Sequence, residues 1–265
     1  MLATYDSYLI DLDGVVYRGE EIVPGAREFV TWLNTHQKKY LFLTNNSFAS
    51  ETQVLEKLTR LGISTSSSHI LGAGQAAIQN IARRFPAGNV YIVGEQPLFE
   101  LVRSYKLRIA NENKEPANVV LVGLDRTFNY TTLTEAVQTV MAGAVFVAIN
   151  RDSLLPVVGS LIPGCGAMVA AIEAASSIHP EVIGKPEPGL LLEGMRLLES
   201  KPEETIMIGD SLDTDILAGK AAGTHTLFVL SGKDTRTTLA KAGIEPEFVY
   251  ENLAAVMADM RTIEP

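Results

Sequence analysis

Tyr8-Leu9-Ile10-Asp11-Leu12-Asp13-Gly14-Val15-Val16 sets an apolar, β-prone run directly against two carboxylates and a glycine turn. Strand side chains alternate between faces, so Asp11 and Asp13 share one. At the carboxyl edge of a parallel sheet that face opens into the crevice where α/β folds take their ligands. Two anions aimed at one place attract a divalent cation. The same Asp-x-Asp-Gly pattern also closes strands as a simple turn, so its meaning rests on what accompanies it.

Three further segments follow apolar runs in the same way. Lys39-Tyr40-Leu41-Phe42-Leu43 leads into Thr44-Asn45-Asn46-Ser47, which offers a hydroxyl, carboxamides and backbone N–H groups ahead of a helical pattern from Glu51 to Leu61, a setting suited to phosphate. Val182-Ile183-Gly184 precedes Lys185-Pro186-Glu187-Pro188, an ammonium beside a proline turn that cannot continue a strand. Thr205-Ile206-Met207-Ile208 runs into Gly209-Asp210-Ser211-Leu212-Asp213-Thr214-Asp215-Ile216, an acidic cluster able to complete a magnesium site. Taken singly these are an N-cap, a loop lysine and surface charge. Together, in one chain order, they assemble a nucleophile, a hydroxyl, a cation and a metal carboxylate.

In these segments the chain resembles the haloacid dehalogenase-like (HAD) superfamily of aspartate-nucleophile phosphatases. The paired asparagines after Thr44 and the run Thr214-Asp215-Ile216-Leu217-Ala218-Gly219 are similar to its NagD/p-nitrophenyl phosphatase branch, subfamily IIA. The resemblance spans nearly the whole chain, and the four motifs show no departure from the family pattern. It implies a Mg²⁺-dependent hydrolase of small phosphomonoesters: sugar phosphates, nucleoside monophosphates and aryl phosphates such as p-nitrophenyl phosphate. Asp11 is then the nucleophile that forms an aspartyl phosphate, and Asp13 the acid and base of the two half-reactions. Mg²⁺ is expected on the Asp11 carboxylate, the Asp13 backbone carbonyl and Asp210, with Asp215 orienting a metal-bound water. The Thr44 hydroxyl, the Asn45 N–H and Lys185 would stabilise the transferring phosphoryl oxygens.

Composition narrows the setting. The 265 residues are 46% hydrophobic, enough for one large or two modest cores. A formal charge of −9 without a basic stripe excludes a nucleic-acid polymer as partner. Cys165, the single cysteine, allows neither an intrachain disulfide nor a cysteine zinc site, and it reads as a packing residue. The amino terminus lacks a signal-peptide pattern and no apolar run approaches membrane-spanning length, so a cytoplasmic protein without a membrane partner is expected. The sequence leaves open whether copies assemble into a homo-oligomer.

About 140 residues separate the second and third motif segments, far more than a crossover helix needs. Within them strands are expected at Asn89 to Val93, Asn118 to Gly123 and Val145 to Ile149. Helices are expected at Pro97 to Tyr105, Thr132 to Ala142 and Cys165 to Ala175. The fold is therefore read as a three-layer α/β/α Rossmann-like core with a parallel sheet, residues 1–79 and 180–265, interrupted by a smaller α/β domain, residues 80–179. Hinges fall near Gln79 and Ser177, and the resemblance makes the insertion a C2-type cap. After the strand at Val145, the resemblance implies that Asn150-Arg151-Asp152-Ser153 is a specificity loop, with Arg151 suited to an anionic or hydroxylated substrate group. His179 and His225 are read as structural or exposed.

One signal competes. Gly72-Ala73-Gly74-Gln75-Ala76-Ala77 fits a dinucleotide-binding G-x-G-x-x-A, with Glu95 near the place of a ribose-binding acid. The preceding run, His69-Ile70-Leu71, is short and flanked by serines, which favours helix packing as the role of these small residues. A phosphotransferase or phosphomutase using the same Asp11, and a non-catalytic phospholigand-binding module, remain open alternatives.

Overall fold

The computed structural model describes residues 2–45, 51–157 and 159–261. Asn46 and Ser47 of the second motif lie outside the described residues. The chain divides into two compact units, one formed by residues 1–72 and 185–265, the other by residues 73–184.

The first unit is built on six parallel strands: β1 (Ser7–Asp11), β2 (Lys39–Thr44), β3 (Ile70–Gly72), β4 (Thr205–Gly209), β5 (His225–Val229) and β6 (Phe248–Tyr250). Their order across the sheet is β6-β5-β4-β1-β2-β3. Burial on both faces explains their near-continuous apolar character. Alternation sends Tyr8, Ile10, Tyr40 and Phe42 into one core with Phe29, Val30, Trp32 and Leu33 of the helix Ala26–Thr35 and Val256, Met257 and Met260 of the helix Leu253–Arg261. Leu9, Leu41 and Leu43 point to the other face, against Gly194 of the helix Gly189–Leu198. Three layers result. The chain runs outward from β1 to β2 and β3 on one side, then returns to the other side through β4. That reversal makes the carboxyl ends of β1 and β4 the topological switch point, where open α/β sheets bind ligands.

The second unit carries a five-stranded parallel sheet in the order 181–182, 145–148, 119–122, 89–93, 108–109. Its helices Gln96–Ser104, Tyr130–Met141 and Cys165–Ser176 lie within two residues of the expected limits. An antiparallel hairpin, Leu154–Val157 with Ser160–Pro163, and the short pair Arg108–Ile109 and Ala110–Asn113 were not anticipated. The unit boundaries also differ from the expected 79 and 180. The helix Ala73–Arg84 begins the second unit, and Glu181–Val182 pairs with Val147 and Ala148 rather than joining the first sheet. Short edge strands carry too few residues for periodicity to show which sheet they join. Among the described residues no helix is long and apolar enough to cross a membrane.

Candidate active site

Asp11 ends β1, Thr44 ends β2 and Asp210 follows β4, so the parallel register alone brings three of the four motif segments to one edge. Lys185 completes the set. Its Nζ lies 2.5 Å from Asp11 Oδ1 and 2.6 Å from Asp215 Oδ1, with both Lys185 and Asp215 buried. Asn45 fixes the backbone of that lysine in both directions: its Nδ2 donates to Lys185 O at 2.8 Å, and Lys185 N donates to its Oδ1 at 2.9 Å. The carboxamide therefore orients the ammonium, a role not evident from the sequence.

Asp215 is placed by a π-helical turn, Leu212–Ile216, in which the N–H groups of Asp215 and Ile216 both donate to Ser211 O. The wide turn swings Asp215 back toward β4, where its Oδ2 accepts the N–H groups of Asp210 and Ser211, each at 3.1 Å. Such turns recur at functional sites. Asp210 Oδ2 in turn accepts Lys233 N at 2.6 Å. Two glycines leave room for that carboxylate. A Cβ on Gly232 would lie 1.9 Å from Asp210 Oδ2, and one on Gly14, whose φ is +80°, 2.2 Å from the same atom.

Carboxylate oxygens of Asp11, Asp210 and Asp215 all lie within 4.8 Å of one another. Burial raises the pKa of Asp11 well above the usual carboxylate range; Lys185 pulls it down, while Asp215 and Asp210 add to the rise. Asp210 is pushed up to about 6 by burial and by Asp215. Burial works to lower Lys185, but the carboxylates of Asp11 and Asp215 outweigh it and hold the ammonium charged. Three carboxyls around one ammonium make a group of the kind that could hold a metal ion. Asp13 is exposed, and its carboxylate stands outside this cluster. Its pKa is raised by partial burial against the pull of Lys57 and Lys185.

The loop Leu230-Ser231-Gly232-Lys233-Asp234 was missed at the level of sequence. Ser231 Oγ donates to Gly14 O at 2.7 Å, Asp234 N to Asp210 O at 3.1 Å, and Leu212 N to Asp234 Oδ2 at 2.8 Å. A signal existed, because this loop follows an apolar strand like the other four segments.

Asn150, Arg151 and Asp152 belong to the second unit. Asn150 is buried and its Oδ1 accepts Asp152 N at 3.1 Å, while Arg151 forms an ion pair with Glu173, which also binds His179. The Arg151 guanidinium is thus already engaged with an anion of its own unit. His225 pairs with Glu247 at 2.6 Å. Glu95, the ribose-binding candidate, is held by Arg126 at 2.5 and 2.8 Å. Its carboxylate is committed to the arginine, which argues against the dinucleotide reading.

Residues 8–108 match the haloacid dehalogenase-like hydrolase family, and residues 182–256 match a second HAD-hydrolase-like family. The chain belongs to the haloacid dehalogenase-like hydrolases and is a phosphomonoester hydrolase of that group. Within it, the chain falls in the NagD-like branch, subfamily IIA. It is 32% identical to an acid sugar phosphatase of Staphylococcus epidermidis over 97% of this chain and 98% of that one. A 5′-nucleotidase of Bacillus subtilis is 34% identical over 95% and 97%. Among solved structures, a p-nitrophenyl phosphatase from Archaeoglobus fulgidus superposes with a TM-score of 0.87 at 31% identity, covering 96% and 99% of the two chains. NagD from E. coli K-12 gives 0.86 at 29% identity, covering 95% and 98%.

Proposed function

We propose that the protein hydrolyses small phosphomonoesters in a Mg²⁺-dependent reaction that passes through an aspartyl phosphate on Asp11. The observation that carries this reading is the Lys185–Asp11 ion pair at the switch point, set among the buried carboxylates of Asp11, Asp210 and Asp215.

In the first half-reaction a carboxylate oxygen of Asp11 forms a bond to phosphorus as the ester P–O bond breaks, and Asp13 gives its proton to the departing oxygen. In the second, the Asp13 carboxylate takes a proton from water, whose oxygen attacks phosphorus and frees phosphate and Asp11. Lys185, the Thr44 hydroxyl and the Asn45 N–H stabilise charge on the phosphoryl oxygens. Mg²⁺ would be held by the Asp11 carboxylate, the Asp13 carbonyl and Asp210, where it offsets the repulsion between an anionic nucleophile and an anionic substrate. Asp215, anchored by Lys185 and two backbone N–H groups, would orient a water beside that site. The second unit is read as the C2-type cap, with Asn150, Arg151 and Asp152 in its substrate-selecting stretch. Sugar phosphates, nucleoside monophosphates and aryl phosphates are the substrate classes, in keeping with the names of the relatives.

The test is phosphate release from p-nitrophenyl phosphate and a panel of sugar phosphates and nucleotides, with Mg²⁺ and with EDTA, beside Asp11→Asn. Metal-dependent release that falls about 10⁴-fold or more in the variant is expected. Wild-type rates in folded Asp11→Asn would remove the nucleophile assignment, and phosphate passed to a second hydroxyl compound instead of water would make the enzyme a phosphotransferase.

A further inference from the structure

The turn that carries Asp13 closes on itself. Leu12 O accepts the N–H groups of Val16 and Tyr17 at 2.9 and 3.2 Å, and Gly14 N donates to Tyr17 O at 2.7 Å. Asp13 and Tyr17 are thereby joined as a single bridge. The position of Asp13 depends on where Tyr17 is held. The Tyr17 ring is buried, and Lys57 Nζ stands 3.7 Å from its centroid. An ammonium over an aromatic face is attracted by the ring quadrupole. Lys57 Nζ also pairs with Glu20 at 3.9 Å, where the 76% exposure of that acid screens its pull, and the lysine charge reaches the Asp13 carboxyl as well.

Lys57 belongs to the helix Glu51–Arg60, the first helix after Thr44 and Asn45. Its contact with Tyr17 therefore links the segment that bears the acid to the chain that follows the phosphate-binding residues. We propose that Lys57 is a positioning residue for Asp13: by holding the Tyr17 ring it sets the Asp13 carboxyl in line with the leaving oxygen of the substrate. The proposal rests on Asp13 acting as the general acid. The proton moves from the Asp13 carboxyl to the departing oxygen, and Lys57 neither gains nor loses one.

Leaving groups separate this role from a structural or substrate-binding one. p-Nitrophenolate departs without a proton, whereas the alkoxide of β-glycerol phosphate needs one. Because kcat/KM covers only steps up to phosphoenzyme formation, it isolates the acid's contribution. For Lys57→Met, kcat/KM on β-glycerol phosphate is expected to fall about tenfold, and on p-nitrophenyl phosphate less than about twofold. The inhibition constant for inorganic phosphate stays within about twofold, Lys57→Arg and Tyr17→Phe retain activity, and Tyr17→Leu behaves as Lys57→Met. Lys57→Met adds no further loss on the alkyl ester in an Asp13→Asn background, since residues acting through one group are not additive. Equal losses on both esters, a weakened phosphate inhibition constant, or full additivity would overturn the proposal. A fully active Asp13→Asn would instead remove the acid assignment, whereas a slow Asp13→Asn beside an unimpaired Lys57→Met would reject Lys57 alone.

Discussion

Lys185 Nζ lies 2.5 Å from Asp11 Oδ1 across a sequence separation of 174 residues, and the same ammonium serves Asp215 at 2.6 Å. One buried cation thus pairs with two carboxyls at once.

Lys185→Ala strips that charge and leaves both carboxyls without their shared cation. Its kcat/KM on p-nitrophenyl phosphate should fall about 10²–10³-fold, the scale of losing one oxyanion donor. Breaking a buried pair costs about 3–5 kcal/mol, so the melting temperature should drop as well. Wild-type kinetics in a folded variant would contradict the arrangement.

Stability without metal should depend on pH in a defined sense. Burial and Asp215 raise Asp210 from its ordinary 3.8 to about 6, so the folded state binds this proton more tightly than the unfolded one. The contribution is fully present below the unfolded value and is lost as pH rises through about 6. In EDTA this group therefore favours folding near pH 5 over pH 7.5. Mg²⁺ competes with the proton for the same oxygens. The stability gain from Mg²⁺, read as a rise in melting temperature, is expected to be larger at about pH 7.5 than at about pH 5, reaching about 2.7 kcal/mol at a hundredfold excess over Kd. A gain independent of pH would count against Asp210 as a ligand.

Gly232→Ala should damage the site without replacing a charged group. The new methyl would lie 1.9 Å from Asp210 Oδ2 and 2.4 Å from its Cγ, so the carboxylate must move. A stability cost of about 1–3 kcal/mol is expected, with a larger Mg²⁺ requirement for half-maximal activity. Unchanged metal dependence would show that Asp210 tolerates displacement.

Cys165 offers a control within the second unit. It is buried, its Sγ donates to Val122 O at 3.5 Å, and burial pushes its thiol up to about 12. Iodoacetamide should leave the native protein unmodified and label it only after denaturation, while Cys165→Ala keeps full activity. Rapid labelling of native protein, or lost turnover in the variant, would overturn its assignment as packing.

Much of this arrangement could be read from the chain itself, because strand ends announce themselves. Apolar runs stopping at Asp11, Thr44 and Asp210 marked the sheet edge that carries the candidate site, since alternation and burial are local consequences of side-chain chemistry. The insertion was legible from spacing alone. Its seams were not: Glu181–Val182 is too short for a periodic signal, and its partners, Val147 and Ala148, lie more than thirty residues upstream. The side-chain link from Asn45 to the Lys185 backbone spans 140 residues. The loop at Ser231 and Gly232 reaches Gly14 and Asp210 only once β4 and β5 are paired.

The sequence by itself therefore determined which residue types stand at the ends of the strands, and with them the kind of chemistry available. Only the tertiary structure decided that Lys185 bridges Asp11 to Asp215, that glycines make room for Asp210, and that Arg151 is occupied by Glu173. Strand formation follows from local pattern, whereas the charge balance of a buried site depends on distances between groups far apart in the chain, which exist only when the sheet has closed around them.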